Sequence, residues 1–576
     1  MKRSDFSPVR AKWPAAVALV FALSACLSGP SLQKDALRRP QSAYGNFLAA
    51  RYASAAHDVR AAAAFYKAAL RKDPGNSLLR QKAFLSALLA GDVPAAAGFA
   101  GPALGSDAET NLMRLTIAAR DLGKKRFASA DAVLSEGKFG PFNREAGQLL
   151  RGWAAMGEGD VDKALALTGG VGQTPVFARI ARLNTALMLD MAGRDVDAGK
   201  VYADIFTDSD LISDRGTYAY GNYLQRHEQT AKARALYQKA IASFTSAPLC
   251  SAALKQLDSG KPAAAPLVRN TREGAAEALY GPAQILAARA HFDRALVYLE
   301  MARTINPRHE AATELLARLM EVENRPDDAL AAFASIAPDS PYRLDAELNR
   351  ARALFRLDRR DQALTIFSSL AAAHPGNAEL VGAYADALRA MRQYDKALPL
   401  YQRLIEQAGD KAGWALYFSR GTVLERLGKW RQSIKDFRAA LKINPDQPDV
   451  LNYLGYTYID AGENLDEGLA LIERAVSLRP DAGYIVDSLG WAHYRLGHYQ
   501  KAVRYLERAV ELEPGQATIS DHLGDAYWQA GRHLEARFQW QHTLSLPPDE
   551  DIDLDAVRKK LANGLQSGAE IAKTGP

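Results

Sequence analysis

The sequence has very little cysteine, with only Cys26 and Cys250 among 576 residues. A disulfide scaffold needs several cysteine pairs, and a thiolate metal site needs two or more ligands close together, so both are excluded. The ten histidines offer no alternative, because none of them lies in a His-Glu-x-x-His or comparable spacing. We therefore expect no metal site and no cofactor.

Signatures of catalysis are also scarce. The sequence contains no Gly-x-Ser-x-Gly elbow of a serine hydrolase. Gly-Lys pairs occur, for instance at Gly123, Gly137, Gly260 and Gly428, but these lack the preceding glycine and following serine or threonine of a phosphate-binding loop. The charge is nearly balanced, with 72 basic and 66 acidic residues, and gives no sign of a nucleic-acid partner. We therefore expect neither an enzyme nor a nucleic-acid-binding protein.

The sequence does contain one pattern that is repeated four times between Trp414 and Pro548. Each copy has a small residue, a second small residue twelve or thirteen positions later, a bulky residue and a closing proline. In one copy these are Gly490, Ala502, Leu506 and Pro514. The first small residues, which we call anchors, are spaced by 34, 35 and 34 residues and are Gly421, Gly455, Gly490 and Gly524.

This pattern resembles the tetratricopeptide repeat, a helix–turn–helix unit of about 34 residues. The resemblance implies an all-α fold, an α-solenoid superhelix of stacked units. Gly490 and Ala502 are expected where the two helices of a unit cross, because a larger side chain would push the helices apart. Gly497 is expected to supply the left-handed residue that ends the first helix, and Pro514 to end the second.

The same frame extends toward the N-terminus, where further anchors are Ala50, Phe84, Ala118, Gly152, Ala186, Gly221, Ala283, Ala317, Ala351 and Ala385. The period is lost once, between Gly221 and Ala283. This predicts a degenerate array over 43–244, an irregular break over 245–275 with some helix near 251–257, and a C-terminal array over 276–548. Six units are expected before the break and eight after it. Pro282 is expected to kink or shorten its helix.

A further helix is predicted over 549–566, after the last repeat. It begins with acidic residues and carries an apolar stripe of Val557, Leu561 and Leu565. We expect this helix to cap the array, with Arg558, Lys559 and Lys560 exposed. The tail over 567–576 is expected to be disordered.

The first 25 residues are organised as a signal peptide, with four basic residues before a short apolar core. The core is too short to remain as a membrane-spanning helix. Residues 23–26, Leu-Ser-Ala-Cys, resemble a bacterial lipobox, which implies cleavage before Cys26 and attachment of a diacylglycerol to its sulfur. The alternative is an ordinary secretory signal that happens to contain a cysteine. With lipidation, residues 26–42 become a tether between the lipid and the fold.

Lipidation of Cys26 would leave Cys250 as the only thiol, so no disulfide could form within the chain. In an oxidising compartment Cys250 could instead pair with another chain. We favour the simpler interpretation, in which Cys250 is a small, half-buried residue.

Binding positions in a stacked array are expected on the concave side of each first helix, three residues before the anchor, one after it and four after it. In the last three units these positions are mainly aromatic or acidic, and the candidates are Asn452, Tyr456, Asp487, Trp491, Tyr494, Asp521, Asp525 and Trp528. Exposed aromatics among carboxylates suit a protein segment with apolar anchors and some positive charge. The alternative is that the aromatics pack on adjacent units and the acids are only solvated.

A lipobox followed by a repeat array resembles bacterial outer-membrane lipoproteins that act as adaptors. One group of these binds a carboxy-terminal processing protease and presents cell-wall hydrolases to it. The resemblance implies a lipid-anchored, non-enzymatic scaffold facing the periplasm, with a protease, a cell-wall hydrolase or a secretion component as partner. Leu27 is not the aspartate linked to inner-membrane retention, which favours the outer membrane. A scaffold for polysaccharide export or secretin assembly shares these features, and a cytoplasmic regulator remains the alternative if the signal peptide is misread.

Overall fold

The structure is a computed structural model that describes residues 42–101, 104, 110–137, 139–172, 175–206, 213–549 and 552–565. Helices form the regular secondary structure of these residues, and the described ranges contain no β-strand. The predicted all-α fold of stacked helix pairs, an α-solenoid, is confirmed. The chain divides into two compact units, unit 1 up to Arg343 and unit 2 from Leu344 onward. The predicted signal peptide, Cys26 and the predicted disordered tail lie outside the described residues.

From residue 42 onward, the described part of unit 1 first contains six helix pairs in chain order. They are α1 (Ala43–Ala55) and α2 (Val59–Lys72), α3 (Ser77–Leu89) and α4 (Val93–Ala100), α5 (Thr110–Gly123) and α6 (Phe127–Ser135), α7 (Pro141–Glu158) and α8 (Val161–Gly169), α9 (Pro175–Met191) and α10 (Asp195–Phe206), and α11 (Asp214–Arg226) and α12 (Thr230–Ser243). A single helix, α13 (Pro248–Asp258), then lies within the predicted break. Two more pairs follow, α14 (Thr271–Ala288) with α15 (Phe292–Ile305) and α16 (Glu310–Val322) with α17 (Pro326–Ala334).

Unit 2 continues in the same order with six pairs and one last helix. They are α18 (Arg343–Arg356) and α19 (Arg360–Ala373), α20 (Ala378–Ala390) and α21 (Tyr394–Ala408), α22 (Trp414–Arg426) and α23 (Trp430–Ile443), α24 (Pro448–Ala461) and α25 (Leu465–Leu478), α26 (Gly483–Arg495) and α27 (Tyr499–Leu512), α28 (Ala517–Gln529) and α29 (His533–Thr543), and α30 (Leu554–Asn563). A short 3-10 segment, Gly409–Lys411, precedes α22. The order of these helices places six pairs before α13 and eight after it, as the repeat spacing predicts.

Short polar residues start several of the early helices. The Asp58 carboxylate accepts a hydrogen bond from the backbone nitrogen of Ala61 at 2.9 Å, and Asp92 does the same for Ala95 at 3.0 Å. Asn76 caps α3 in the same way. Each bond satisfies an amide that has no partner inside its own helix, so these residues fix where the second helix of a pair begins or where the next pair begins.

The anchors lie where the helices of a pair cross, as predicted. A Cβ placed on Gly490 would lie 2.6 Å from Leu506 Cγ, and one on Gly524 would lie 2.5 Å from Trp540 Nε1. The other two anchors of the regular repeats are equally crowded. Ala502, the partner of Gly490, is completely buried. Glycine at these anchors therefore sets the close approach of the two helices.

The residue seven positions after each anchor has a left-handed backbone in all fourteen pairs. Gly497 has a φ of +74°, as predicted for the residue that ends the first helix. Half of these positions are not glycine; Arg392, for example, has a φ of +58°. A non-glycine residue in this conformation carries roughly 1–2 kcal/mol of strain, which the surrounding repeat must offset. The repeat frame therefore holds in the degenerate units as well as in the regular ones.

Two helices of unit 1 pack outside the regular stacking order. Helix α14 lies against α7 and α9, and α15 lies against α3 and α5, so the pair occupies the inner face formed by these first helices. The Trp153 ring of α7 lies so close to Gly274 of α14 that an added Cβ would come within 2.2 Å of it. We call this arrangement of α14 and α15 the fold-back.

Helix α14 runs without interruption from Thr271 to Ala288 with Pro282 inside it. Of the two expected effects of Pro282, shortening of the helix is therefore wrong, and a kink stays a prediction. Leu279 and Ala283, on either side of the proline, are completely buried. Burial of α14 on both sides of Pro282 stabilises the helix enough to offset the backbone hydrogen bond that proline cannot make.

Candidate protein-binding surfaces

The eight predicted binding residues lie on three consecutive first helices of unit 2, namely α24, α26 and α28. Only three of them are half-buried: Tyr456, Trp491 and Trp528. The other five are between 5% and 8% exposed: Asn452, Asp487, Tyr494, Asp521 and Asp525. The expectation of freely exposed aromatics and carboxylates is therefore wrong, whereas a role in partner binding stays a prediction.

Neighbouring first helices cover the middle of this row. The Trp491 ring is stacked between Tyr494, at 4.7 Å between ring centroids, and His522 of the next helix, at 4.1 Å. His522 Nδ1 lies 2.9 Å from Asp487 Oδ1. Burial disfavours the charged imidazole, but the charge of Asp487 and its hydrogen bond outweigh that effect and raise the pKa of His522. The aromatics thus pack on the adjacent unit, which was the alternative drawn from the sequence.

The end of the row is covered by α30, which lies on α29. Lys560 Nζ donates to Asp521 Oδ2 and to Asp525 Oδ2, at 2.8 Å each. The expectation that Lys560 is exposed is therefore wrong: its side chain is only 19% exposed, because two carboxylates draw the ammonium group inward. Arg558 and Lys559 are exposed, as expected.

Apolar and backbone contacts also hold α30 in place. Val557 is 1% exposed and belongs to a buried cluster around Trp540. The backbone oxygen of Leu561 accepts a hydrogen bond of 2.7 Å from Arg537 Nη1. Past the end of the helix, Gly564 meets the ring of Trp528 so closely that an added Cβ would lie 2.0 Å from it. Trp528 is therefore a wall of the α30 site.

The charges in this site are not balanced, because two carboxylates face one ammonium group. Burial and the neighbouring Asp521 raise the pKa of Asp525 to about 6, although Lys560 and a hydrogen bond from Trp540 act in the opposite direction. Asp521 Oδ1 is buried and has no hydrogen-bond partner. At the equivalent position of α24, Asn452 Oδ1 is also buried without a partner. The row therefore retains unused acceptor atoms.

Sequence reasoning missed the fold-back, which closes the inner face of unit 1. Tyr298 on α15 donates a hydrogen bond of 2.8 Å to Asn143 Oδ1 on α7. A Cβ on Gly123 at the end of α5 would lie 2.7 Å from the backbone oxygen of Thr304. The only sequence signal was indirect: the lost period over 245–275, where the chain leaves the regular stacking. The chain's own helices therefore cover the first helices α3, α5, α7 and α9 on this face.

A buried ion cluster fixes the fold-back at its other end. Arg215 of α11 makes a two-pronged ion pair with Glu277 of α14, with Arg215 Nε 3.1 Å from Glu277 Oε2. His309 Nε2 lies 3.0 Å from Glu277 Oε1, and Arg215 also donates to the Tyr342 hydroxyl at 3.1 Å. Burial opposes the ionisation of Glu277, but Arg215 and His309 outweigh it and lower the pKa of Glu277 to about 2. The cluster joins the array to the fold-back.

A cavity of about 670 Å³ remains between the fold-back and the first helices of unit 1. Its walls are mainly apolar, formed for instance by Leu112, Phe142 and Val297. Arg289 and Arg294 lie at its exposed edge. The cavity belongs to the interface between the array and its own helices.

Other kinds of site are absent from the described ranges. They contain no group of three or more histidine, cysteine, aspartate or glutamate side chains that could hold a metal ion. Nor do they contain a helix both long enough and apolar enough to cross a membrane. Cys250 is completely buried rather than half-buried, and burial together with Asp214 raises the pKa of its thiol.

Comparisons with known proteins agree with this architecture. Two tetratricopeptide-repeat family models match residues 354–417 and 488–543, and a TPR-repeat model matches residues 421–462. All three matches lie in unit 2. The chain therefore contains tetratricopeptide repeats, which are typical of scaffolds for protein–protein interaction and typically carry no catalytic site.

One curated relative is the TPR repeat-containing protein PA4667 of Pseudomonas aeruginosa strain PAO1, which is 38% identical over 91 residues. The match spans 16% of this chain and 15% of the relative. The chain thus covers only a small part of that relative's length.

Among solved structures, the chain is similar to the APC/C hetero-tetramer Cut9-Hcn1, with 14% identity and a TM-score of 0.38 over 90% of this chain and 96% of the other. It is also similar to a tetratricopeptide repeat protein from Parabacteroides merdae, with 14% identity and a TM-score of 0.39 over 44% and 97%.

Proposed function

We propose that this protein is a lipid-anchored, non-enzymatic scaffold that binds protein partners in the bacterial cell envelope. The observation that carries the proposal is the row of equivalent side chains on consecutive first helices of unit 2. In that row Tyr456 and Trp491 are half-buried, whereas the other row residues of α24 and α26 are buried. Aromatic residues are among the residue types most often found as energetic anchors in protein interfaces.

The envelope location rests on the lipobox that ends at Cys26. Acyl chains on this cysteine would hold the protein at a membrane, and Leu27 favours the outer membrane, with the repeats in the periplasm. By the resemblance to adaptor lipoproteins, the partners are a processing protease and the cell-wall hydrolases that it degrades. The protein's contribution is to bring the two together, and the chemistry belongs to the protease.

A capture experiment tests the scaffold function. The purified chain is immobilised and exposed to an envelope extract, and the partners it retains are identified by mass spectrometry. A Tyr456→Ala/Trp491→Ala variant is then titrated with the identified partner. Truncating one interface anchor typically costs about 2 kcal/mol, so the double variant is expected to bind at least tenfold more weakly.

The matched control is Leu534→Ala/Phe538→Ala, which removes two apolar side chains from the exposed side of α29, where they are 68% and 65% exposed. This control is expected to bind like the wild type. Circular dichroism melting of each variant excludes loss of fold. Equal affinity of the wild type and the Tyr456→Ala/Trp491→Ala variant would place the binding surface elsewhere.

A further inference from the structure

Helix α30 covers the end of the row of predicted binding residues on α24, α26 and α28, which we call the binding row. Its contacts there show which side chains this position accepts. We call Asp521, Asp525 and Trp528 the terminal site. Lys560 of α30 lies between the two carboxylates, and Gly564 lies against the indole ring of Trp528. In the row predicted to bind partners, this is the place where a segment from elsewhere in the chain is seated.

The terminal site requires a cation. Asp521 and Asp525 are 8% and 5% exposed, and a buried carboxylate is costly unless it is paired. Without Lys560 both carboxylates would lose their positive partner. Even with Lys560 bound, Asp521 Oδ1 has no hydrogen-bond partner, so the site has acceptor capacity beyond what its present occupant uses.

The terminal site also selects the shape of its occupant. Val557, three residues before Lys560, is buried, and Leu561, one residue after it, packs partly buried on the same cluster. Trp528 leaves no room for a side chain at position 564. The site therefore fits an amphipathic helix with an apolar residue, a lysine, a leucine and a glycine at the spacing of 557, 560, 561 and 564.

The present occupant is short and tethered. Helix α30 has ten residues, and a helix of that length is only marginally stable on its own in water. Its attachment to the chain raises its effective concentration at the site, because the two cannot diffuse apart. A free partner segment with the same side chains must compete with the tethered α30 at this high local concentration. Once bound, it would make the same contacts as α30.

We propose that the terminal site is a receptor for a basic amphipathic helix, and that a partner segment with the lysine, leucine and glycine spacing of α30 replaces α30 when it binds. The proposal rests on the scaffold function, since it names the kind of segment that one end of the binding row accepts. In that case α30 occupies the terminal site as an intramolecular competitor, and only partners that bind more tightly than α30 can replace it.

The test uses the full chain and a fluorescent synthetic peptide with the sequence of residues 549–566, followed by fluorescence anisotropy. Lys560→Glu in the chain places a third negative charge against the two carboxylates and releases the chain's own helix. This variant is expected to bind the peptide at least tenfold more tightly than the wild type does. Lys559→Glu changes an exposed neighbour by the same charge, and this matched control is expected to behave like the wild type.

Two further variants assign the binding to the terminal site. Adding Asp521→Asn and Asp525→Asn to the Lys560→Glu chain is expected to remove peptide binding, and a peptide carrying Lys560→Glu is expected not to bind. If the Lys560→Glu chain keeps its helicity and still fails to bind the peptide, the proposal is overturned. Equal binding by Lys560→Glu and Lys559→Glu chains would overturn it too.

A second measurement uses the wild type, so it remains informative if the Lys560→Glu chain loses its fold. In the wild type, saturating unlabelled peptide is expected to speed amide hydrogen exchange across 554–563, because α30 is displaced; no acceleration would refute the proposal. A negative result in this exchange experiment would not contradict the scaffold function, because that function is tested separately by the partner titration of the Tyr456→Ala/Trp491→Ala variant. A terminal site that binds only its own α30 leaves that titration unchanged.

Discussion

Single small residues set how closely the two helices of a repeat approach. A Cβ on Gly490 would lie 2.6 Å from Leu506 Cγ and 3.2 Å from its backbone nitrogen. The backbone atom cannot rotate away, so only a shift of the whole helix would make room. Such positions were predictable from the sequence, because the steric requirement recurs in the four regular repeats and restricts the residue type there.

Gly490→Leu is therefore expected to destabilise unit 2. Overpacking a close crossing costs roughly 1–3 kcal/mol or more, and a disrupted pair weakens the stacking of its neighbours. Urea unfolding followed by circular dichroism measures the change. Gly515→Leu is the matched control, since no atom lies within 4 Å of a Cβ at that position. Identical midpoints for the two variants would show that the crossing is not at Gly490.

At the same scale, Glu277 makes the fold-back sensitive to acid. Its pKa in the folded protein is about 2, below the ordinary value of 4.5. A carboxylate with a lowered pKa contributes stability that is fully present above the ordinary value and is lost as the pH falls through the folded value. The contribution of Glu277 is therefore complete above about pH 4.5 and declines between pH 4.5 and 2.

Amide hydrogen exchange across α14, corrected for its intrinsic pH dependence, is expected to show this decline. Protection should fall in the wild type as the pH is lowered from 4.5 toward 2. Glu277→Gln is expected to be less protected at pH 6 and to depend less on pH. Glu273→Gln, a change on the same helix outside the ion cluster, serves as the control and should retain the wild-type profile. A Glu277→Gln profile parallel to the wild type would exclude this residue as the source of the acid sensitivity.

At the scale of elements, the sequence predicted the helices and their pairing better than their long-range neighbours. Pairing is local, because the two helices of a unit lie within 34 residues and share a periodic pattern. The contact between Trp153 and Gly274 joins residues of two different repeats, and each helix has the pattern of an ordinary first helix. The fold-back could therefore not be read from periodicity. For the same reason, the covering of Asp521 and Asp525 by Lys560 was not predicted, whereas packing of the aromatics on the adjacent unit was the alternative drawn from the sequence.

Gly274→Leu is expected to detach the fold-back from the inner face of unit 1, because the Trp153 ring leaves no space for a side chain. The penalty is about that of an overpacked core, 1–3 kcal/mol or more. Exchange of the amides in α7 and α14 should accelerate together. Gly98→Leu is the control, since Gly98 is also helical but has no atom within 4 Å of a Cβ. Unchanged protection in α7 would mean that α14 does not hold that face closed.

At the scale of the whole molecule, the proposed lipid anchor decides where the scaffold works. Cys26→Ala is expected to abolish acylation and to release the protein from the membrane, since anchoring depends on buried acyl chains. Membrane fractionation with mass spectrometry of the N-terminal peptide measures both effects. Cys250→Ala is the matched control and should remain anchored. An unmodified Cys26 in wild-type protein, with equal membrane association of both variants, would refute the lipoprotein assignment.

The fold-back also has a consequence in time. A chain is made from its N-terminus, and Gly274 follows Trp153 by 121 residues. At about 5–20 residues per second, the ribosome takes roughly 6–24 s to cover that interval. Throughout it, the inner face of unit 1 lacks the helices that bury it. The inner face of unit 1 is thus closed only after its first six helix pairs have been synthesised. A ribosome that stalls before α14 leaves behind an array with an open apolar face.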